Sequence, residues 1–308
     1  MCSFDRVVNE DPSRRCHLLL LSHDELGVIF DGLADPLQPG VAVALSSTCL
    51  GLRTPLQAAL EVLKERHEKA KALCRKLDKS CAQVRGAERL RGRSRLVADD
   101  MATLGMILCT NGLPRLLQLY LGSCYGFGDA DVQALCEGLG RGAAPSLRIL
   151  SLADSKLGPA GAEALATALG RGAMPKLEEL ELTSNPIGNQ GVASLTASLR
   201  KMSGLKRLYL GHCEIGDEGV ASLVDNLGKD DFKALVTLFL QDNKITDVGC
   251  TKLVSALSAG ALLAIEEFYY QDDDDVEEEG AVISEHASKE ACAAVRAALQ
   301  KRRDAKQE

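Results

Sequence analysis

Side chains able to do covalent or acid–base chemistry are common in this chain but rarely grouped. The five histidines stand at 17, 23, 67, 212 and 286, and the eleven cysteines include no C-x-x-C pair. His212 adjoins Cys213, but no third group with triad or metal-ligand spacing accompanies them. The sequence carries no G-x-S-x-G, phosphate-loop or H-E-x-x-H motif, so no catalytic, cofactor-binding or metal-ligating residues are expected. One set of side chains is spaced with regularity. Tyr209, Phe239 and Tyr269 recur at intervals of 30 residues, with Tyr120 and Glu181 in phase with them. Arg207 and Glu267 lie two residues before members of this column, and His212, Asp242 and Asp272 three residues after. Large rigid aromatics ringed by charge are the usual anchors of protein interfaces. The chemistry that this pattern offers is recognition.

A column needs a repeated element to carry it. Six segments, beginning at Leu116, Leu147, Leu177, Leu205, Leu235 and Ile265, fit L-x-x-L-x-L-x-x-N/C or its close variants, at spacings of 31, 30, 28, 30 and 30 residues. The ninth position reads Cys124, Ser155, Asn185, Cys213, Asn243 and Asp273, all compact and polar, as a group that must satisfy backbone where the chain leaves a strand. After each of the first five strands comes a leucine pair four apart, such as Leu195/Leu199 and Leu253/Leu257, which marks one face of a helix. Between strand and helix stand Ile187-Gly188-Asn189-Gln190-Gly191 and Ile215-Gly216-Asp217-Glu218-Gly219, whose Asn or Asp is suited to cap the helix that follows. A unit of strand, turn, helix and turn cannot bury its apolar face alone, so neighbours must stack with their strands parallel.

These segments resemble the leucine-rich repeats of the ribonuclease-inhibitor type over residues 116–302. The resemblance implies an α/β fold, a leucine-rich-repeat solenoid shaped as a horseshoe arc, with parallel concave strands, convex helices and a small all-α region in front. It also implies that the third, fifth and seventh strand positions face a protein partner across the concave surface. In the last repeat an acidic insertion, 271–280, separates the strand from a helix in which Val295 and Leu299 restore the four-residue spacing. Residues 303–308 form a tail.

Ahead of the repeats, residues 1–15 are polar and expected to be disordered. Within 16–54, Leu26, Ile29, Phe30 and Leu33 stand in the stretch Leu21 to Pro36, which resembles the opening of an F-box. That resemblance implies docking of 17–54 to the linker protein of a cullin ubiquitin ligase, with the repeats holding a substrate. The alternative is a small helical cap over the first repeat. Residues 55–84 read as one amphipathic helix, with Pro55 at its start. In 85–115, a basic run containing Arg85, Arg89, Arg91, Arg93 and Arg95 reads as a solvated connector, with a nuclear import signal or a phosphate contact as the alternatives, and a helix around Leu104 and Leu108 as the cap of a repeat whose strand is degenerate.

The net charge of −7 is carried by residues 116–308, the earlier part being slightly basic. An acidic body repels phosphate backbones, so nucleic acid is not the expected partner and a protein with a basic surface is. No run of apolar residues approaches the length of a membrane span, and the unpaired cysteines suit a reducing compartment. A cytoplasmic or nuclear protein-binding module is therefore expected. Activators of a small GTPase are built from similar repeats with an acidic tail, which makes a GTPase regulator the alternative.

Overall fold

The computed structural model describes residues 26, 29–30, 33–47, 56–92, 96–110, 112–122, 127–228, 230–260, 262, 264–265 and 286–307. In chain order the elements are α1 (Gly40–Ser47), α2 (Gln57–Lys76), α3 (Cys81–Arg85), β1 (Arg89–Arg91), α4 (Ala98–Cys109), β2 (Gln118–Tyr120), α5 (Asp129–Glu137), β3 (Ile149–Ser151) and α6 (Pro159–Gly170). They continue as β4 (Glu179–Glu181), α7 (Gly188–Arg200), β5 (Arg207–Tyr209), α8 (Asp217–Val224), β6 (Thr237–Phe239), α9 (Asp247–Ser258) and α10 (Lys289–Gln307). The strands form one parallel sheet whose spatial order β1 to β6 is the chain order, each joined to the next through a helix. Register is strict: Leu90, Leu119, Leu150, Leu180, Leu208 and Leu238 stand side by side along the middle of the sheet, all buried. Their side chains meet the leucine pairs of the helices in one continuous core. The chain folds as a leucine-rich-repeat solenoid.

The array begins one repeat earlier than the pattern from Leu116 indicates. The basic run read as a connector contains β1, whose Leu90 points into the core while Arg89 and Arg91 face outward. The long helix expected over 55–84 is two helices. Its chain turns at Asp78, which adopts φ 55°, and α3 restarts behind Ser80. The Ser80 side chain accepts from Gln83 N while the Gln83 side chain accepts from Ser80 N, a reciprocal cap that favours a fresh start over continuation.

The Asn or Asp of each turn does not cap its own helix. Asp217 is already the first residue of α8, too late to fold back onto that helix's orphan N–H groups. Its Oδ1 accepts from Thr246 N at 2.8 Å and Gly249 N at 2.9 Å, at the start of α9, and its Oδ2 accepts from the Thr246 hydroxyl. Asn189 serves Gly216 and Gly219 in the same way, Asp129 serves Gly158 and Gly161, and Asp247 serves Ser288 ahead of α10. The junctions α5–α6, α7–α8, α8–α9 and α9–α10 are thereby stapled at the helix N-terminus, whereas α6 has Pro159 at the equivalent position. The third helical residue must be glycine for this approach: a Cβ at Gly249 would lie 2.5 Å from Asp217 Oδ1.

Burial pushes the Asp217 carboxyl up, but the Thr246 hydroxyl, Thr246 N–H and Gly249 N–H outweigh it and hold the pKa below the usual carboxylate range. A pKa depressed by folding contributes stability above the unfolded value near 4, and that contribution is lost as pH falls through the folded value. Asp217→Ala should therefore cost about 1–2 kcal/mol at neutral pH, and the difference from wild type should shrink below about pH 4. Asp217→Asn, the arrangement the preceding repeat already uses at Asn189, should cost less. Thermal melting of the three proteins across pH 3–8 measures this. A difference that persists unchanged at pH 3 would assign the loss to packing.

Candidate functional site

The concave sheet is the surface on which the columns seen in sequence converge. At the fifth strand position the order across the sheet is Arg91, Tyr120, Ser151, Glu181, Tyr209, Phe239, and at the third it is Arg89, Gln118, Ile149, Glu179, Arg207, Thr237. Tyr269, Glu267 and Asp272 lie outside the described residues, as does the acidic run 271–280.

Tyr209 and Phe239 are adjacent and half-buried, with ring centroids 6.1 Å apart and planes inclined at 51°. The Phe239 ring lies against Gly211, where an added Cβ would come within 2.3 Å of Cε1. The small residue lets the ring settle on the sheet. Beside the pair, Arg207 Nε donates to Glu179 Oε2 at 2.7 Å. Burial favours the neutral form of Arg207, but the Glu179 carboxylate overrides this and raises its pKa, so the ion pair stays charged. Glu178, one position back, is bridged by Lys206 at 2.8 Å and Arg148 at 3.1 Å. The hydrogen bond from Lys206 holds its carboxyl below the usual range. Glu181 stands between Ser151 and Tyr209 with no ion pair among the described residues.

His212 and Asp242 meet at 3.0 Å on the exposed rim. Both belong to the eighth motif position, where Asp154, Ser184, His212 and Asp242 all take positive φ between 51° and 59°. This position turns the chain out of the strand and carries its side chain to the edge of the surface. The neighbouring Cys213 faces the opposite way. Its Sγ donates to the carbonyls of Leu182 and Gly211, and burial pushes the thiol to about 12. The His212-Cys213 pair is thus divided between rim and core. Among the described residues no group of three metal-ligating side chains forms.

Tyr120 sits at the other end of the face, under two arginines that sequence reasoning assigned to a connector. The guanidinium carbons of Arg89 and Arg91 lie 5.7 Å and 5.0 Å from its ring centroid. Arg89 Nε also donates to Gln118 Oε1.

In the N-terminal region Leu26, Ile29, Phe30 and Leu33 are helical. Leu26 and Phe30, implied by resemblance to contact a linker protein, are instead packed with Ala34, Ala42, Leu56 and Leu63 in a second core cluster, Phe30 at 1% exposure. These two side chains are spent inside the head, against α1, Leu56 and α2. Ile29 is half-buried, and Leu33, Val41 and Val43 remain exposed. Arg85 donates to Asp35 at 2.6 Å and His67 Nδ1 to the Pro36 carbonyl at 2.7 Å, fastening this head to α2 and α3.

Comparison with known proteins agrees with the fold. The leucine-rich-repeat family model matches residues 143–166, 173–195, 203–224 and 235–254. No curated protein matches the chain in sequence. A crystal structure of the Rad7 and Elc1 complex in yeast is similar at 13% identity, over 89% of this chain and 79% of that chain, with a TM-score of 0.36. At that score the likeness carries no argument about function. The chain carries leucine-rich repeats, and no described helix is long and apolar enough to cross a membrane.

Proposed function

We propose that this chain is a protein-interaction module that holds a protein partner on the concave face of its repeats. The observation that carries the reading is the Tyr209–Phe239 pair. In a chain whose aromatic content is 4%, two neighbouring rings are half-exposed on the sheet face and flanked by the charged groups Arg207, Glu179 and Glu181. Aromatic anchors with a polar surround are the energetic centre of most protein interfaces. The period of 28 to 31 residues, with a helix in every described repeat, supports the ribonuclease-inhibitor type as the reading of the array.

The finer reading is a substrate adaptor of a cullin-type ubiquitin ligase, docked through the head. With Leu26 and Phe30 committed to α2, the surface that supports it is Leu33, Val41 and Val43, exposed on neighbouring helical segments, Val41 at 53%. Deleting residues 1–54 would uncover Leu63 and Leu56, so point variants in the full chain are the appropriate test. Affinity capture of the wild-type protein from cells, with mass spectrometry, identifies the associated proteins. Val41→Asp/Val43→Asp should lose a linker and cullin while keeping the other species, and Tyr209→Ala/Phe239→Ala should do the reverse. Capture of the same proteins by all three would remove both surfaces from consideration.

A further inference from the structure

The concave face is electrically polarised, and its basic end is prepared for an anion. Arg89 and Arg91 occupy the third and fifth positions of β1, in register with Gln118 and Tyr120 of β2. Both are exposed, and neither has an ion pair among the described residues. Elsewhere on this face the cations are already neutralised: Arg207 by Glu179, and Lys206 and Arg148 by Glu178. Tyr120 draws both guanidinium groups to one ring, within 5.7 Å of its centroid. Cation–π attraction holds a guanidinium at a ring without consuming its N–H donors. The Arg89–Gln118 hydrogen bond uses one donor and fixes that side chain further. Two oriented forks beside an aromatic ring match the two oxygens of a carboxylate or the three of a phosphate ester.

The opposite charge stands three strands away. Glu181 on β4, with no ion pair among the described residues, is about 14 Å from β1 at the usual strand spacing. A nucleic-acid backbone crossing the face would leave the arginines and meet Glu179 and Glu181 at once. A short anionic segment of a protein would not.

We propose that Arg89, Arg91 and Tyr120 form a clasp for an acidic side chain of the protein partner, carboxylate or phosphorylated, at the β1–β2 end of the concave face. The proposal rests on the reading of that face as the partner surface, and adds the chemistry of one end of the ligand.

The test uses the full-length protein and fluorescein-labelled hexapeptides carrying two glutamates, two phosphoserines or two glutamines, with a single-stranded DNA 12-mer alongside. Fluorescence anisotropy should show binding of an anionic peptide and none of the glutamine peptide. The comparison between glutamate and phosphoserine decides which anion is preferred. Arg89→Gln/Arg91→Gln should weaken anionic binding at least tenfold, and Arg89→Lys/Arg91→Lys should recover only part of it, because lysine keeps the charge and loses the fork. Equal peptide binding by wild type and the Gln double variant would overturn the clasp, as would binding of the DNA in preference to both anionic peptides. Because the arginines are exposed, the variants should melt as wild type does. Partner capture lost in the Tyr209/Phe239 variant but retained in the Arg89/Arg91 variant would overturn the clasp and leave the concave-face reading standing.

Discussion

Asn243→Ala should be the most destabilising single substitution at a polar site in the array, lowering the unfolding free energy by about 3–5 kcal/mol. Asn243 is 2% exposed and uses both ends of its amide. Its Oδ1 accepts from Cys213 N at 2.9 Å and Ile215 N at 3.0 Å, and its Nδ2 donates to the carbonyls of Leu210 at 2.7 Å and Leu240 at 2.8 Å. Alanine would strand these backbone groups in a site closed to water, at about 1–3 kcal/mol for each group left without a partner. Some relaxation must be allowed, which sets the total below the full sum. Asn243→Asp is a sharper test of the mechanism. It keeps the two acceptor bonds but turns an oxygen toward two carbonyls, so it should destabilise as much as alanine does at neutral pH. Asn243→Cys should be milder. Cys213 occupies the same column one repeat earlier and donates to Leu182 and Gly211, so the donor role survives and the acceptor role is lost. Urea unfolding followed by far-ultraviolet circular dichroism measures the series. A loss below 1 kcal/mol for alanine would mean that water or backbone movement replaces the amide.

The same column shows what was legible in the sequence. From Leu116 onward, leucines at the fourth and sixth positions and compact polar residues at the ninth all report the buried side of each strand, and the helix pairs report the layer packed against it. Pattern and structure agree over β2 to β6 because both follow from the same burial. The helix of the first repeat was legible as a cap, but its strand was not, because Ala87 and Gly92 stand where leucine is usual and arginines fill the outward positions. One signal was available: Leu90 precedes Leu119 by 29 residues, the period of the array. Failing to use it also concealed the arginine–tyrosine cluster, since Tyr120 and Arg91 become neighbours only through β1–β2 pairing. The staples between repeats were hidden for a related reason. Asp217 and Gly249 are 32 residues apart, and a turn motif read within one repeat suggests a local partner. In the head, a spacing that suits an F-box also suits plain packing against α2, and apolar spacing alone does not say which face Leu26 and Phe30 meet.

Tyr209→Ala should weaken partner binding by about 2 kcal/mol or more, near thirtyfold in Kd, while changing stability little. Phe239→Ala should cost as much in binding and in addition about 1 kcal/mol in folding. The difference arises from what each ring already touches. Phe239 lies on Gly211 and has lost part of its surface to the sheet, so truncation exposes backbone that the ring covers. Cross-strand stacking would by itself explain a tilted pair at 6.1 Å, and the two accounts separate on a double-mutant cycle. If the rings serve mainly each other, the double variant should lose less stability than the two single variants together, and binding should hardly change. If they anchor a partner, the coupling should appear in Kd and not in the unfolding midpoint. Gly211→Ala adds an independent perturbation that deletes no aromatic group. A methyl at that position must push the Phe239 ring off the sheet, and an interface built on the ring's present position should weaken accordingly. Binding unaltered by Gly211→Ala and by Tyr209→Ala would move the search for the partner surface to the β1–β2 end of the face.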